Sequence, residues 1–268
     1  MKTSKKERIC AITGILTDNP NVVYPLSYFA ELFDAAKSTL SEDISVIKET
    51  LPRMDMGEIE VLFGANGGVK YVPMVSDEKK AQMQEYLVER LCEPSRILPG
   101  SFIYTADIFL SPKYVKMFAQ IIWKYYAKLT PDFIITVEAK GIPLAMEVAH
   151  LFAVPLVVVR KENKLTEGSV VTINYISDSS HRMQTLSLSK RAVQAGQKAI
   201  IVDDFIAGGG TVKAVEDLMK EFHVEVLGCG VAISKKDPEK KKIDDYKSVI
   251  VLEDVDSENN KIHAYPWE

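Results

Sequence analysis

The sequence lacks the features that mark several protein classes. Its three cysteines, Cys10, Cys92 and Cys229, are far apart and odd in number, so they form no disulfide framework and no zinc-ligand spacing. No apolar run exceeds about five residues, whereas a membrane-spanning helix needs about 20. The apolar residues after the basic start are too few and too interrupted for a signal peptide. These absences predict a cytoplasmic protein with no membrane segment.

Charge of one sign is also missing. The 268 residues include 33 Lys and Arg and 37 Asp and Glu, for a formal net charge of -4, so bulk electrostatics do not indicate a nucleic-acid binder. The 4 histidines share no ligand spacing, and we predict no metal site. With 47% hydrophobic and 26% charged residues, the chain has the composition of a globular protein. Its length corresponds to one or two domains.

Residues 1–75 have the element order of a winged helix, three helices followed by a hairpin. The predicted elements are a helix that ends before Asn19, a helix over 26–33, a helix over 36–49, and strands over 59–63 and 69–72. In this motif the third helix enters the DNA major groove. The residues that we expect to contact DNA are Lys5, Lys6, Arg8, Lys37, Ser38, Thr39, Ser41 and Lys70. The segment is acidic overall, and winged helices also serve as dimerisation modules, so the residues alone leave both roles open.

Residues 76–95 are predicted to form a helical connector. Residues 96–268 have the sequence pattern of an α/β domain. Continuous apolar runs alternate with helical patterns, which is typical of a parallel sheet covered on both faces. The predicted strands cover 133–137, 156–159, 199–202, 226–231 and 249–252. Between the second and third lies an insert, residues 160–190, whose alternating residues predict an antiparallel hairpin at the sheet edge. The predicted fold is therefore α/β, a winged helix followed by an open parallel sheet with a hairpin insert.

The segment VDDFIAGGGT predicts a site for a ribose 5-phosphate. After the strand over 199–202 come two acids, Asp203 and Asp204, which accept hydrogen bonds and suit the two vicinal hydroxyls of a ribose. A loop of small residues and a helix N-terminus follow, and their backbone N–H groups bind a phosphate. The residues of this predicted phosphate loop are Ala207, Gly208, Gly209, Gly210 and Thr211.

This segment resembles the phosphoribosyl pyrophosphate (PRPP) signature of the type I phosphoribosyltransferases, except that Gly208 stands where those enzymes often carry Thr. A second segment, TVEAKGIP, resembles the loop that binds pyrophosphate in that family, often with a cis peptide. The resemblance implies pyrophosphate contacts from Ala139, Lys140 and Gly141. Lys161, which follows the second strand, is a further candidate. We expect Mg²⁺ to come with PRPP, held mostly by the oxygens of the ligand.

The whole chain resembles the purine operon repressors of Gram-positive bacteria. The segments that carry the likeness include AAKSTLSEDISVIKET, GANGGVKYVP, VRKENKLTEGSVVTINYIS and HRMQTLSLSKRA. The resemblance implies a homodimer that binds operator duplex DNA, is released by PRPP and catalyses no phosphoribosyl transfer. Two aromatic residues, Tyr104 and Phe205, are candidates to stack a purine nucleotide such as guanosine tetraphosphate in competition with PRPP. The alternative is that Phe205 only packs in the core and that Tyr104 belongs to the segment that covers the site.

Two other functions stay open at this stage. An active purine phosphoribosyltransferase with an N-terminal extension would consume PRPP together with a nucleobase. An RNA- or protein-interaction module would show no salt-sensitive binding of duplex DNA. The resemblance is weaker over the last ~40 residues, and it suggests no role for them.

Overall fold

The computed structural model describes residues 3–64, 67–162, 168–177, 182–238, 241–243 and 245–268. The chain divides into two compact units. One comprises Met1–Lys79 with His150–Ala153, and the other comprises Lys80–Ala149 with Val154–Glu268. No helix among these described ranges is both long and apolar enough to span a membrane.

The first unit is the predicted winged helix. Its elements are α1 (Lys5–Asp18), α2 (Leu26–Phe33), α3 (Lys37–Arg53), β1 (Glu58–Leu62) and β2 (Gly68–Val72), the two strands being antiparallel. Ser4 and Glu7 form a reciprocal capping box at the start of α1. Pro25, with φ fixed near the helical value, precedes α2, and Asp34 ends that helix in the left-handed conformation.

One hydrophobic core joins the three helices to the hairpin. Ile12 and Leu16 of α1, Phe29 of α2 and Leu40 of α3 are fully buried, and Val69 of β2 packs with them. The apolar residues of each helix recur every three or four positions, so that they form one buried face. The opposite face of α3 is left to solvent.

The remaining elements build the α/β domain. They are α4 (Asp77–Leu91), β3 (Ile97–Leu98), β4 (Phe102–Ile103), α5 (Ala106–Phe109), α6 (Pro112–Tyr126), β5 (Phe133–Val137), α7 (Gly141–Phe152), β6 (Leu156–Val159), β7 (Val170–Ile176), β8 (Met183–Ser189), β9 (Lys198–Ile206), α8 (Gly210–Glu221), β10 (Glu225–Lys235), β11 (Lys247–Asp256) and β12 (Lys261–Pro266).

A six-stranded sheet forms the centre of this unit, in the order β12-β11-β10-β9-β5-β6. Five strands are parallel, and β12 is an antiparallel edge strand. The strand order reverses direction between β5 and β9, because the chain runs outward from β5 to β6 on one side and from β9 to β11 on the other. Ligands of open α/β sheets bind at such a switch point, beyond the carboxyl ends of the strands.

Two of three expectations about the second unit need correction. The predicted connector is not separate, since Gln84 of α4 donates hydrogen bonds at 2.9 Å to the carbonyls of Val249 and Trp267. The predicted antiparallel hairpin is confirmed: β7 and β8 form a two-stranded sheet of their own beside the edge strand β6. It meets the end of β6 through a bridge between Arg160 and Ser187. The third predicted strand is longer than expected, because β9 stays paired with β10 as far as Ile206.

Candidate functional site

A pocket of about 290 Å³ opens at the switch point of the sheet. Its lining combines the ends of β5 and β9 with the start of α8. The lining residues are Val137, Glu138, Ala139, Lys140, Lys161, Asp203, Asp204, Phe205 and Thr211. The chain thus brings together, in one pocket, two predicted segments that are more than 60 residues apart in the sequence. Three carboxylates and two lysines meet there, so the pocket has groups for both hydroxyl donors and anions.

The acid pair lies inside strand β9 rather than after it. Asp203 is 9% exposed, and its Oδ1 accepts a hydrogen bond from the backbone N–H of Asp204 at 2.9 Å. Burial, followed by the neighbouring carboxylate of Asp204, raises the pKa of Asp203 well above its usual value. Burial also raises the pKa of Asp204, although Lys140 and Lys161 act in the opposite direction. The pair is therefore costly to ionise unless a ligand supplies hydrogen-bond donors.

This cost predicts that Asp203→Asn stabilises the ligand-free protein at neutral pH. Because the pKa of Asp203 is higher in the folded state than in the unfolded chain, the folded state binds more protons between those two values. Stability therefore falls as the pH rises through that window, and the deficit is complete above the raised pKa. We expect a higher Tm for Asp203→Asn at pH 7, by a few degrees, with a gain that shrinks towards pH 4. Thermal unfolding across pH checks this, and an equal or lower Tm at pH 7 would contradict it.

The loop between β5 and α7 brings its backbone against the acid pair. The peptide bond between Glu138 and Ala139 is cis. A Cβ atom added at Gly141 would overlap the hydroxyl of Thr136 and would lie 2.5 Å from Oδ1 of Asp203. Gly141 does not line the pocket itself, but the approach of this loop to β9 requires a residue without a side chain. Ala139 and Lys140 are exposed on the pocket wall.

The predicted phosphate loop connects β9 to α8. Gly209 has φ of 85° at the N-cap of α8, a left-handed conformation that favours glycine. The first turn of a helix leaves backbone N–H groups without intrahelical acceptors. Of this loop, Thr211 lines the pocket, whereas Ala207, Gly208, Gly209 and Gly210 do not.

Part of the C-terminal segment supports this loop. The N–H of Lys242 donates to the carbonyl of Gly208 at 2.8 Å. Ile243 lies close to Gly209, where an added Cβ would approach its side chain to 3.4 Å. The last ~40 residues, for which the sequence suggested no role, thus complete the sheet through β11 and β12 and support the phosphate loop.

Glu138 is a pocket residue that the sequence did not single out. Its carboxylate accepts from the N–H of Lys161 at 2.7 Å and from Nη1 of Arg160 at 3.1 Å. These bonds hold the residues after β6 against the loop after β5. Glu138 therefore positions Lys161, although no spacing in the sequence relates the two residues.

The two aromatic candidates lie in different places. Phe205 is 39% exposed and lines the pocket. Tyr104 is 48% exposed and does not line it. The structure therefore places one of the two predicted stacking residues beside the acid pair.

Most of the residues expected to contact DNA are exposed. Lys5 and Lys6 of α1 are exposed, as are Lys37, Ser38 and Ser41 at the start of α3. Thr39 is half-buried. Lys70 lies on β2, where its ammonium is 2.9 Å from the carboxylate of Glu60. A phosphate contact from Lys70 would have to replace that pair.

The prediction that Arg8 contacts DNA is wrong. Its side chain is 11% exposed, and Nε lies 2.7 Å from Oδ2 of Asp43 in the middle of α3. Nη1 donates to the carbonyl of Thr3 at 2.9 Å. Arg8 precedes Ile12 and Leu16 by four and eight positions, so it lies on the buried face of α1. This guanidinium pairs with α3 instead of facing solvent.

The fold and the site define a class of two-domain protein, in which a winged helix precedes an α/β domain of the phosphoribosyltransferase type. Residues 106–267 match the family described as phosphoribosyl transferase domain, and residues 4–73 match bacterial purine repressor, N-terminal. The chain belongs to the bacterial purine repressor family.

Relatives match over nearly the whole chain. The purine biosynthesis transcriptional repressor PurR of Bacillus subtilis is 37% identical over 98% of this chain and 92% of its own length. The purine biosynthesis transcriptional activator PurR of Lactococcus lactis is 38% identical over 96% of this chain and 95% of its own length. Among solved structures, adenine phosphoribosyltransferase from Rhodothermus marinus has a TM-score of 0.55 at 22% identity, covering 64% of this chain and 99% of that one. This last likeness concerns the fold alone.

Proposed function

We propose that this protein is a transcriptional repressor of purine biosynthesis and salvage genes whose affinity for operator DNA is lowered by PRPP. The observation that carries the proposal is the pocket at the switch point, where an acid pair, two lysines and Thr211 converge. The same chain carries the winged helix of the family. The Bacillus subtilis relative is named a repressor and the Lactococcus lactis relative an activator, and we expect repression here.

The chemistry of PRPP matches the groups in the pocket. The ribose hydroxyls donate to Asp203 and Asp204, which relieves the cost of ionising the buried pair. The 5′-phosphate accepts from the phosphate loop and Thr211, at the positive end of α8. The pyrophosphate accepts from the backbone of residues 139–141, with Lys140 and Lys161 beside it. Mg²⁺, carried largely by the pyrophosphate oxygens, completes the charge balance.

Operator DNA is the partner that we assign to the first unit. The exposed start of α3 offers Lys37, Ser38 and Ser41 to the major groove, and Lys5 and Lys6 offer cations to phosphates. We expect a homodimer, because two symmetric winged helices read two half-sites. Repression in the presence of nucleotides would follow if guanosine tetraphosphate stacks on Phe205 in the pocket and displaces PRPP, with Tyr104, outside the pocket lining, as the second predicted stacking residue.

Calorimetric titration of the full chain with PRPP and Mg²⁺ tests the sensing half of the proposal. We expect one PRPP per chain and a lower apparent affinity when guanosine tetraphosphate is added. Independent binding of both ligands would contradict the stacking role of Phe205. No binding of PRPP would contradict the sensor. Consumption of PRPP with adenine, guanine, hypoxanthine or xanthine would indicate an enzyme instead.

Gly141→Ala is expected to weaken PRPP binding by more than about tenfold. The new Cβ would lie 2.5 Å from Oδ1 of Asp203, so that the carboxylate or the pyrophosphate loop must shift. Misplacing one charge-assisted hydrogen bond costs about 1.5–3 kcal/mol. The same titration measures the loss. Gly14→Ala is the matched control, since nothing lies within 4 Å of an added Cβ there. Equal affinities of the two variants would contradict the role given to the loop.

A further inference from the structure

A chain of hydrogen bonds links the pocket to the hairpin β7–β8. The hydroxyl of Thr211, which lines the pocket, donates to the phenol oxygen of Tyr175 at 3.3 Å. The phenol in turn donates to Oε1 of Gln184 at 2.7 Å. Tyr175 and Gln184 face each other across the two strands of the hairpin.

Packing holds Tyr175 in this position. Val171, Ile173 and Tyr175 alternate along β7, and all three are half-buried against the core of the domain. On β8, Leu186 and Leu188 are buried in the same core. The ring of Tyr175 is thereby held by the hydrophobic core, with its hydroxyl next to the first turn of α8.

Binding of a phosphate changes which hydroxyl donates to which in this chain of hydrogen bonds. A threonine hydroxyl has one proton and two lone pairs, and an ionised phosphate only accepts. To bind the phosphate, Thr211 must turn its proton away from Tyr175. Its oxygen then has lone pairs free to accept. The phenol of Tyr175 lies within reach, and it can donate to Thr211 when its single proton turns away from Oε1 of Gln184. Such a donor strengthens the bond from Thr211 to the phosphate, because hydrogen bonds in a chain polarise one another.

We propose that Tyr175 is a positioning residue for the phosphate subsite, whose hydroxyl orients the hydroxyl of Thr211 towards the 5′-phosphate of the ligand. The proposal rests on the PRPP-binding function stated above and extends the site to the hairpin. It adds to the site a residue that has no direct contact with the ligand and acts through Thr211.

Tyr175→Phe tests this with the ring, and therefore the packing, retained. We expect the affinity of the full chain for PRPP with Mg²⁺ to fall about threefold to tenfold, the range for one hydrogen bond between neutral groups. In a Thr211→Val background the same change is expected to have no further effect, because the hydroxyl that Tyr175 orients is gone. A merely structural role of Tyr175 would cost the same in both backgrounds.

Thr185→Val is the matched control within the hairpin. It also removes one hydroxyl, which donates to Oδ1 of Asn174 at 2.8 Å on the exposed side, and it is expected to leave PRPP affinity unchanged. If Tyr175→Phe binds PRPP as tightly as the wild type, or loses as much affinity in the Thr211→Val background, the positioning role of Tyr175 is overturned. The proposed PRPP-binding function still stands in either case, provided that the wild type binds PRPP. If the wild type does not bind PRPP, the proposed function fails and this inference fails with it.

Discussion

Replacing Asp203 and Asp204 together by alanine is expected to lower the affinity for PRPP by about a hundredfold or more. Each carboxylate accepts a charge-assisted hydrogen bond from a ribose hydroxyl, and each such bond contributes about 1.5–3 kcal/mol. A combined loss of about 3 kcal/mol already corresponds to a factor above one hundred. The measurement is a calorimetric titration with PRPP and Mg²⁺. On operator DNA, the variant is expected to stay bound at PRPP concentrations that release the wild type.

The matched control replaces two other adjacent acids by alanine. Glu216 and Asp217 are adjacent acids on α8, where both lie near the ammonium of Lys213 and neither lines the pocket. Glu216→Ala/Asp217→Ala is expected to bind PRPP as the wild type does. Wild-type affinity in the Asp203→Ala/Asp204→Ala protein would refute the acid pair as the ribose site.

The second large effect is expected in the winged helix. Asp43→Ala removes the partner of Arg8 and leaves a guanidinium buried between α1 and α3. Breaking a buried ion pair from one side costs about 3–5 kcal/mol, because the remaining charge stays desolvated. We therefore expect the first unit to unfold at a markedly lower urea concentration. Hydrogen exchange of the α1 and α3 amides during urea unfolding measures this.

Two further variants test whether the unpaired charge of Arg8 causes this loss of stability. Arg8→Met/Asp43→Leu removes both charges and is expected to recover most of the lost stability, since apolar pairs often replace buried ion pairs without loss. Oδ1 of Asp43 has no hydrogen-bond partner among the described residues, so the native pair is itself incompletely satisfied. Lys70→Ala breaks the more exposed pair with Glu60, and we expect a cost below about 1 kcal/mol. Equal costs for Asp43→Ala and Lys70→Ala would contradict the account of Arg8.

Sequence patterns predicted most elements because local signals agreed with the fold. Pro25 and the apolar stripe after it defined α2, and the continuous apolar runs defined β5 and β6. The end of β9 was misplaced for a physical reason. Asp is depleted within strands, but the backbone ladder between β9 and β10 continues past the acid pair, with Asp203 opposite Val231.

The site was predictable where its residues lie together in one stretch of the sequence. The glycine loop and the acid pair belong to a single stretch of chain, so their residue types alone indicated a ribose phosphate. The role of Glu138 could not be predicted from the sequence, because its partners, Arg160 and Lys161, become its neighbours only when β5 and β6 pair. Arg8 was misassigned on its charge alone, although its spacing of four from Ile12 indicated the buried face of α1.

The most direct test of the central claim is the affinity of the full chain for a purine-operon control region, measured at one fixed salt concentration with and without PRPP and Mg²⁺. Salt must be fixed because phosphate contacts make DNA binding strongly salt-dependent. We predict tight binding without PRPP and weaker binding with it. By linkage, operator DNA must lower the affinity for PRPP by the same factor. Operator affinity that PRPP leaves unchanged would contradict the account, and so would a wild-type protein that does not bind this DNA.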